Sequence, residues 1–164
     1  MEIVKIKLNG GMMPQKATAG AAAFDLYVPE DVYLKEGRQL IDLKFSIELP
    51  HGYAATIQPR SGFSAKGMVV AIEDIYDRTL ESDDVRINAD VIRGLIDADF
   101  RGNVRVIIDV KEPLDCYYYL LQKGTRIAQM QIVEVPQIQL VEVDELSETE
   151  RGEGGIGSTG TRKI

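Results

Sequence analysis

Phe45-Ser-Ile-Glu-Leu49, Pro50-His-Gly52 and Tyr53-Ala-Ala-Thr-Ile-Gln58 place two short, partly alternating apolar runs on either side of a turn. Alternation with period two is the pattern of a strand with one face buried, and Pro and Gly between two such runs mark a reversal. The unit recurs along the chain. Residues 3–8, 104–109, 116–121 and 126–134 are further strand candidates, separated by turn signals at Pro29-Glu-Asp31, Glu36-Gly37, Pro113-Leu-Asp115 and Lys123-Gly124. No capped helical stripe of ten or more residues interrupts them. The spacing therefore predicts an all-β antiparallel sandwich, jelly roll or barrel, with helix confined to 62–67 or to the region 75–84.

At 164 residues the chain suits one domain with a proper core. A net charge of −7 argues against nonspecific nucleic-acid binding, and any phosphate-rich ligand must be met by local arginines, backbone N–H groups or a cation. Cys116 is the only cysteine, in the apolar run Cys116-Tyr-Tyr-Tyr-Leu-Leu121. It reads as a small buried hydrophobe and suits a reducing, cytoplasmic setting. His51 is the only histidine and has no histidine partner for a zinc site. The start, Met1-Glu-Ile-Val-Lys5, is too short and charged for a signal peptide, and no apolar run is long enough to span a membrane.

Two segments break the strand rhythm. Residues 73–84 hold six acids against one arginine and read as a solvated excursion, either a hairpin arm or a short exposed helix. The end reads Arg151-Gly-Glu-Gly-Gly-Ile-Gly-Ser-Thr-Gly-Thr-Arg-Lys-Ile164, and residues 141–150 form an acidic leash before it. Such a tail cannot build a core. It either is a disordered terminus or folds over a polyanion with closely spaced N–H groups, hydroxyls and a guanidinium. The expected division is a β domain over 1–140 and an arm over 141–164.

Four polar clusters lie in connecting segments, where function concentrates. Ala19-Gly-Ala-Ala-Ala-Phe-Asp25 leads small residues to one carboxylate, a strand-end residue or a metal contact. In Pro59-Arg-Ser-Gly-Phe-Ser-Ala-Lys-Gly67, Arg60, Ser61 and the N–H of Gly62 either gather on one anion or cap a short helix. In Gly94-Leu-Ile-Asp-Ala-Asp-Phe-Arg-Gly102, Asp97 is placed to position a water as a general base or belongs to an ordinary acidic turn. In Gly124-Thr-Arg-Ile-Ala-Gln-Met-Gln-Ile132, Gln129 is an amide in an apolar strand, whose partners are structural or a ligand.

In this order the clusters and the tail resemble the five motifs of the trimeric deoxyuridine triphosphate nucleotidohydrolases, the dUTPases. The resemblance covers nearly the whole chain except an acidic insertion at about 72–91. It implies a jelly-roll-like β fold and a homotrimer with exchange of C-terminal arms. Each active site would take the first, second and fourth motifs from one subunit, the third from another and the tail from the last.

It implies hydrolysis of dUTP to dUMP and pyrophosphate with Mg2+. Asp97 would be the base, and Asp25 the carboxylate near the triphosphate-bound magnesium, largely through water. Arg60, Ser61, Gly62 and Gln129 would contact phosphates. Phe100 would pack on the deoxyribose. Arg151, Gly157, Ser158 and Thr159 would close over the β- and γ-phosphates, with Ile156 covering the base.

The chain departs from the family's pattern at three points. Phe100 stands where tyrosine is usual, and Ile156 where an aromatic ring usually stacks on uracil. The insertion enters the hairpin that reads uracil, and Asn88 is not at the usual short distance before Gly94. Three alternatives follow: a related nucleotide hydrolase, a dCTP deaminase acting on another base, or a dUTPase-fold regulator with little turnover that binds nucleotide or a protein partner through the insertion. The deaminase relatives place glutamate where this chain has Asp97.

Overall fold

The structure is a computed structural model, described here for residues 2–111 and 117–154. Among these residues twelve strands and one short helix run in the order β1 Lys5–Leu8, β2 Phe24–Tyr27, β3 Val32–Tyr33, β4 Gly37–Glu48, β5 Tyr53–Gln58, α1 Ser61–Lys66, β6 Met68–Asp74, β7 Leu80–Ile87, β8 Ala89–Ile92, β9 Gly94–Ile96, β10 Asn103–Val110, β11 Tyr117–Leu121 and β12 Arg126–Glu134. The expected all-β class is therefore observed. Cys116 and the turn at Pro113 lie outside the described residues.

The strands form three four-stranded sheets, β1-β4-β10-β8, β3-β11-β6-β7 and β2-β12-β5-β9, with antiparallel pairing throughout. Alternation sets which faces turn inward. In β4 the buried residues are Ile41, Leu43, Phe45 and Ile47; in β10 they are Val104, Val106, Ile108 and Val110. Together with Leu26, Val28, Leu121 and Ile127 they make one core. Each such side chain contributes about 1.5–3 kcal/mol of burial. β4 is much longer than its expected last third, because Arg38, Asp42 and Lys44 on its outer face and Gln39 on its inner face mask the alternation in sequence.

The acidic excursion is a hairpin, β6–β7, and not a helix. Its acids do more than solvate it. Asp74 Oδ1 accepts the N–H groups of Tyr76 (2.7 Å) and Asp77 (3.3 Å), and Asp77 Oδ1 accepts the N–H (2.9 Å) and hydroxyl (2.7 Å) of Thr79. These are the local side-chain bonds by which Asp builds turns. Arg78, at φ 61°, folds back from the tip. Its guanidinium lies 4.4 Å from the Tyr33 ring centre and 4.1 Å from that of Tyr118, and its Nε is 3.3 Å from Glu73. The Tyr33 hydroxyl donates to Glu73 Oε2 at 3.0 Å, and this bond is the main cause holding the phenol above its ordinary pKa.

Arg78→Ala should therefore loosen the hairpin tip without unfolding the domain. Cation–π contacts at exposed sites are worth about 0.5–1 kcal/mol each. Amide exchange across 74–82 should accelerate severalfold while the melting temperature moves by a few degrees at most. Unchanged protection across 74–82 would show that the clamp does not hold the arm.

Candidate active site

Sheet register brings the first, second and fourth clusters together. Asp25 on β2 is the partner of Gln129 on β12, and Gln129 is also the partner of Gln58 at the end of β5. Pro59 then ends β5, and Arg60 (φ −79°, ψ 142°) turns the chain into α1. Residues far apart in sequence thus line one cavity of about 300 Å3, with Asp25, Arg60, Ser61, Gly62 and Gln129 at its polar wall and alanines opposite.

Asp25 is buried, at 8% exposure. Its Oδ1 accepts Arg60 Nε at 3.0 Å and its Oδ2 accepts Arg126 Nη1 at 3.3 Å. A buried carboxylate is tolerable only when paired, and two guanidinium groups supply that pairing. Each oxygen retains acceptor capacity for a water.

The second cluster left helix capping and anion contact open. Arg60, not Ser61, occupies the N-cap position, and its side chain makes no cap bond. Ser61 is the first helical residue, exposed, and its hydroxyl has no partner among the described residues. Gly62 is likewise exposed, with nothing within 4 Å of where a Cβ would stand. Gln129 donates one N–H to the Pro59 carbonyl at 3.1 Å, so its amide is anchored structurally on that side while the remaining donor and the oxygen are unspent.

The third cluster lies elsewhere. β9 ends at Ile96, and the Phe100 N–H donates to the Asp97 carbonyl at 3.2 Å. Arg101 Nη1 locks the turn by donating to the carbonyls of Ala98 (2.6 Å) and Phe100 (2.8 Å). The Asp97 carboxylate is exposed and has no partner among the described residues. The Phe100 ring, 41% exposed, lies against Gly102, where a Cβ would come within 2.7 Å of Cζ. Only glycine leaves the ring that position. Phe100 lines a separate cavity of about 370 Å3 with Gly94, Leu95 and Asn103, and this cavity shares no lining residue with the Asp25 cavity. Within one chain Phe100 therefore lines no cavity in common with Asp25, Arg60 or Gln129.

Arg151 sits in a turn after the last strand, with its Nε donating to the Gly154 carbonyl at 2.8 Å. Ile156, Gly157, Ser158 and Thr159 lie outside the described residues. Sequence reasoning passed over Arg126, although it opens an apolar strand beside the Lys123-Gly124 turn, where an unmatched cation is a usable signal. Among the described residues no three His, Cys, Asp or Glu side chains form a metal cage, and no helix is long and apolar enough to cross a membrane.

A family model described as dUTPase matches residues 10–89 and 82–160, two overlapping stretches that meet on β7 of the inserted hairpin. The chain is 36% identical to a deoxyuridine 5'-triphosphate nucleotidohydrolase of Hydrogenobaculum sp. over 162 residues, covering 98% of each chain. It is 39% identical to that of Caulobacter vibrioides over 153 residues, covering 90% of this chain and 85% of the relative. Among solved structures, the Staphylococcus bacteriophage 80alpha dUTPase with dUPNHPP matches with a TM-score of 0.76 at 25% identity, covering 98% of this chain and 100% of that one. With a family model matching most of its length and a relative alike over 98% of each chain, this chain belongs to the dUTPase family.

Proposed function

We propose that the protein hydrolyses dUTP to dUMP and pyrophosphate as a homotrimer. The observation that carries this reading is the Asp25 cavity, where Arg60, Ser61, Gly62 and Gln129 present unspent donors around one space. Donors converging in a pocket with a buried, doubly paired carboxylate suit a phosphate chain. The separation of Asp97 and Phe100 from that cavity fits a site completed by a neighbouring subunit's third motif and a C-terminal arm over 141–164.

Water attacks the α-phosphorus in line, forming one P–O bond while the bond to the bridging oxygen breaks and pyrophosphate leaves. Asp97, free of any local partner, takes the water's proton, an effect worth about 10²–10⁴-fold. The Gly102-seated Phe100 ring packs on the deoxyribose, leaving no room for a 2′-hydroxyl. Gln129, Ser61 and the Gly62 N–H orient the phosphates.

The donor set fits Mg2+ brought in with the triphosphate. A single carboxylate with one open acceptor position on each oxygen suits contact through the ion's waters, since magnesium keeps several of them. Bound there, the ion would neutralise charge developing on the phosphate oxygens. A cytoplasmic setting accords with this nucleotide chemistry.

Pyrophosphate release from a panel of dNTPs and UTP, with and without Mg2+, tests the reading. Turnover should be confined to dUTP and depend on the metal, and equal release from dCTP or dTTP would overturn it. The same panel on a chain with residues 74–84 replaced by a short Gly-Ser linker tests the hairpin. Discrimination against dCTP and dTTP should fall severalfold with the trimer intact. Unchanged discrimination would move the hairpin from base selection to binding a protein partner.

A further inference from the structure

Behind α1 lies a cleft of about 360 Å3 whose far side, at Lys66 and Arg86, none of the assignments above uses. Four cations line it: Arg60 and Lys66 at the two ends of α1, Arg126 at the start of β12, and Arg86 on β7. No carboxylate does. The adjoining Asp25 compensates one of these charges, through Arg60 and Arg126, so about three remain. Lys66 and Arg86 have no carboxylate partner among the described residues. In a chain of net charge −7, cations gathered in excess of their counter-charge mark a place suited to an anion.

The cleft is continuous with the Asp25 cavity, because Arg60 and Gly62 line both. Arg86 is set there by a tight corner. Gly67 ends α1 at φ 85°, where a Cβ would lie 2.6 Å from the Ile87 carbonyl oxygen, so the helix end and β7 are pressed together. Arg86 Nη1 donates to the Gly67 carbonyl at 3.2 Å, which leaves the rest of its fork of donors uncommitted.

We propose that this cleft receives the distal phosphates of the nucleoside triphosphate, and that Arg86 is a substrate-binding residue contributed by the inserted hairpin. The inference rests on the reading that Ser61 and Gln129 receive the phosphate chain. From there the chain runs past Gly62 toward Lys66 and Arg86, and free pyrophosphate presents the same chemistry.

The test uses the full chain as wild type, Arg86→Gln and Arg86→Lys, with affinities measured for dUMP, dUpNHpp and inorganic pyrophosphate. Arg86→Gln should weaken dUpNHpp and pyrophosphate about tenfold while dUMP stays within about twofold, and Arg86→Lys should recover most of the loss. Equal weakening of dUMP and dUpNHpp would reduce Arg86 to a brace for the helix end, and no change for any ligand would empty the cleft of its role. Should Arg86→Gln not fold, Lys66→Gln on the exposed end of α1 replaces it with the same expected pattern, and an unchanged dUpNHpp affinity there overturns the proposal. Absent dUTP turnover in the wild-type chain would sink the hydrolase reading instead. The pyrophosphate arm would then still decide the cleft.

Discussion

Asp97→Asn is expected to lower kcat by roughly two orders of magnitude or more while leaving the trimer and dUpNHpp binding intact. The amide has the carboxylate's shape but cannot accept the water's proton, so the loss falls on the chemical step. Stability should hardly respond. Asp97 is exposed, makes no side-chain hydrogen bond or ion pair among the described residues, and its turn is held by backbone and Arg101 instead. Such surface substitutions usually lie within about 0.5 kcal/mol. Single-turnover rates with saturating enzyme separate chemistry from binding. A near-normal rate would remove Asp97 from the role of base and leave the unpaired carboxylate without one.

A comparable loss is expected from ending the chain at Glu150. The last strand ends at Glu134, and residues 135–154 add no strand or helix, so the truncated chain should keep the mass of the trimer and nearly its melting temperature. What it loses is Arg151 and the glycine-rich arm with Ser158 and Thr159. Each charge-assisted contact to a phosphate is worth about 1.5–3 kcal/mol, and several lost together should cost orders of magnitude in kcat/KM. Mixing tail-less chains with Asp97→Asn chains distinguishes a shared site from a local one. After subunit exchange, an intact arm from one chain and an intact Asp97 from the other should restore part of the activity. Full activity of the tail-less protein would return the arm to simple disorder, and absent rescue would argue against sites built between subunits.

The β class could be read from the chain because inward residues alternate, and the side-chain period of a strand is a local property. Ile41, Leu43, Phe45 and Ile47 on β4 show the limit of that signal, since charged neighbours on the outer face hid the first two thirds of the strand. The hairpin was ambiguous for the same reason. Residues 73–84 have few apolar positions, and what settles them as a hairpin is the pairing of β6 with β7 and with the distant β11, and the hold of Arg78 on Tyr33 and Tyr118.

The chemistry-bearing residues were legible as types, since glycines, hydroxyls and lone carboxylates in turns stand out from an apolar strand pattern. Sequence by itself determined the strand-rich class and the four clusters and tail with their order. Only the tertiary structure decided which clusters meet. Register across β2, β12 and β5 joins Asp25, Gln129 and Gln58, while Phe100 lines a separate cleft and Asp97 stands exposed in the turn after β9. Arg126 and Arg86 acquire meaning in the same way. A cation's role is set by which charges lie within a few ångströms of it, and separation along the chain does not encode that distance.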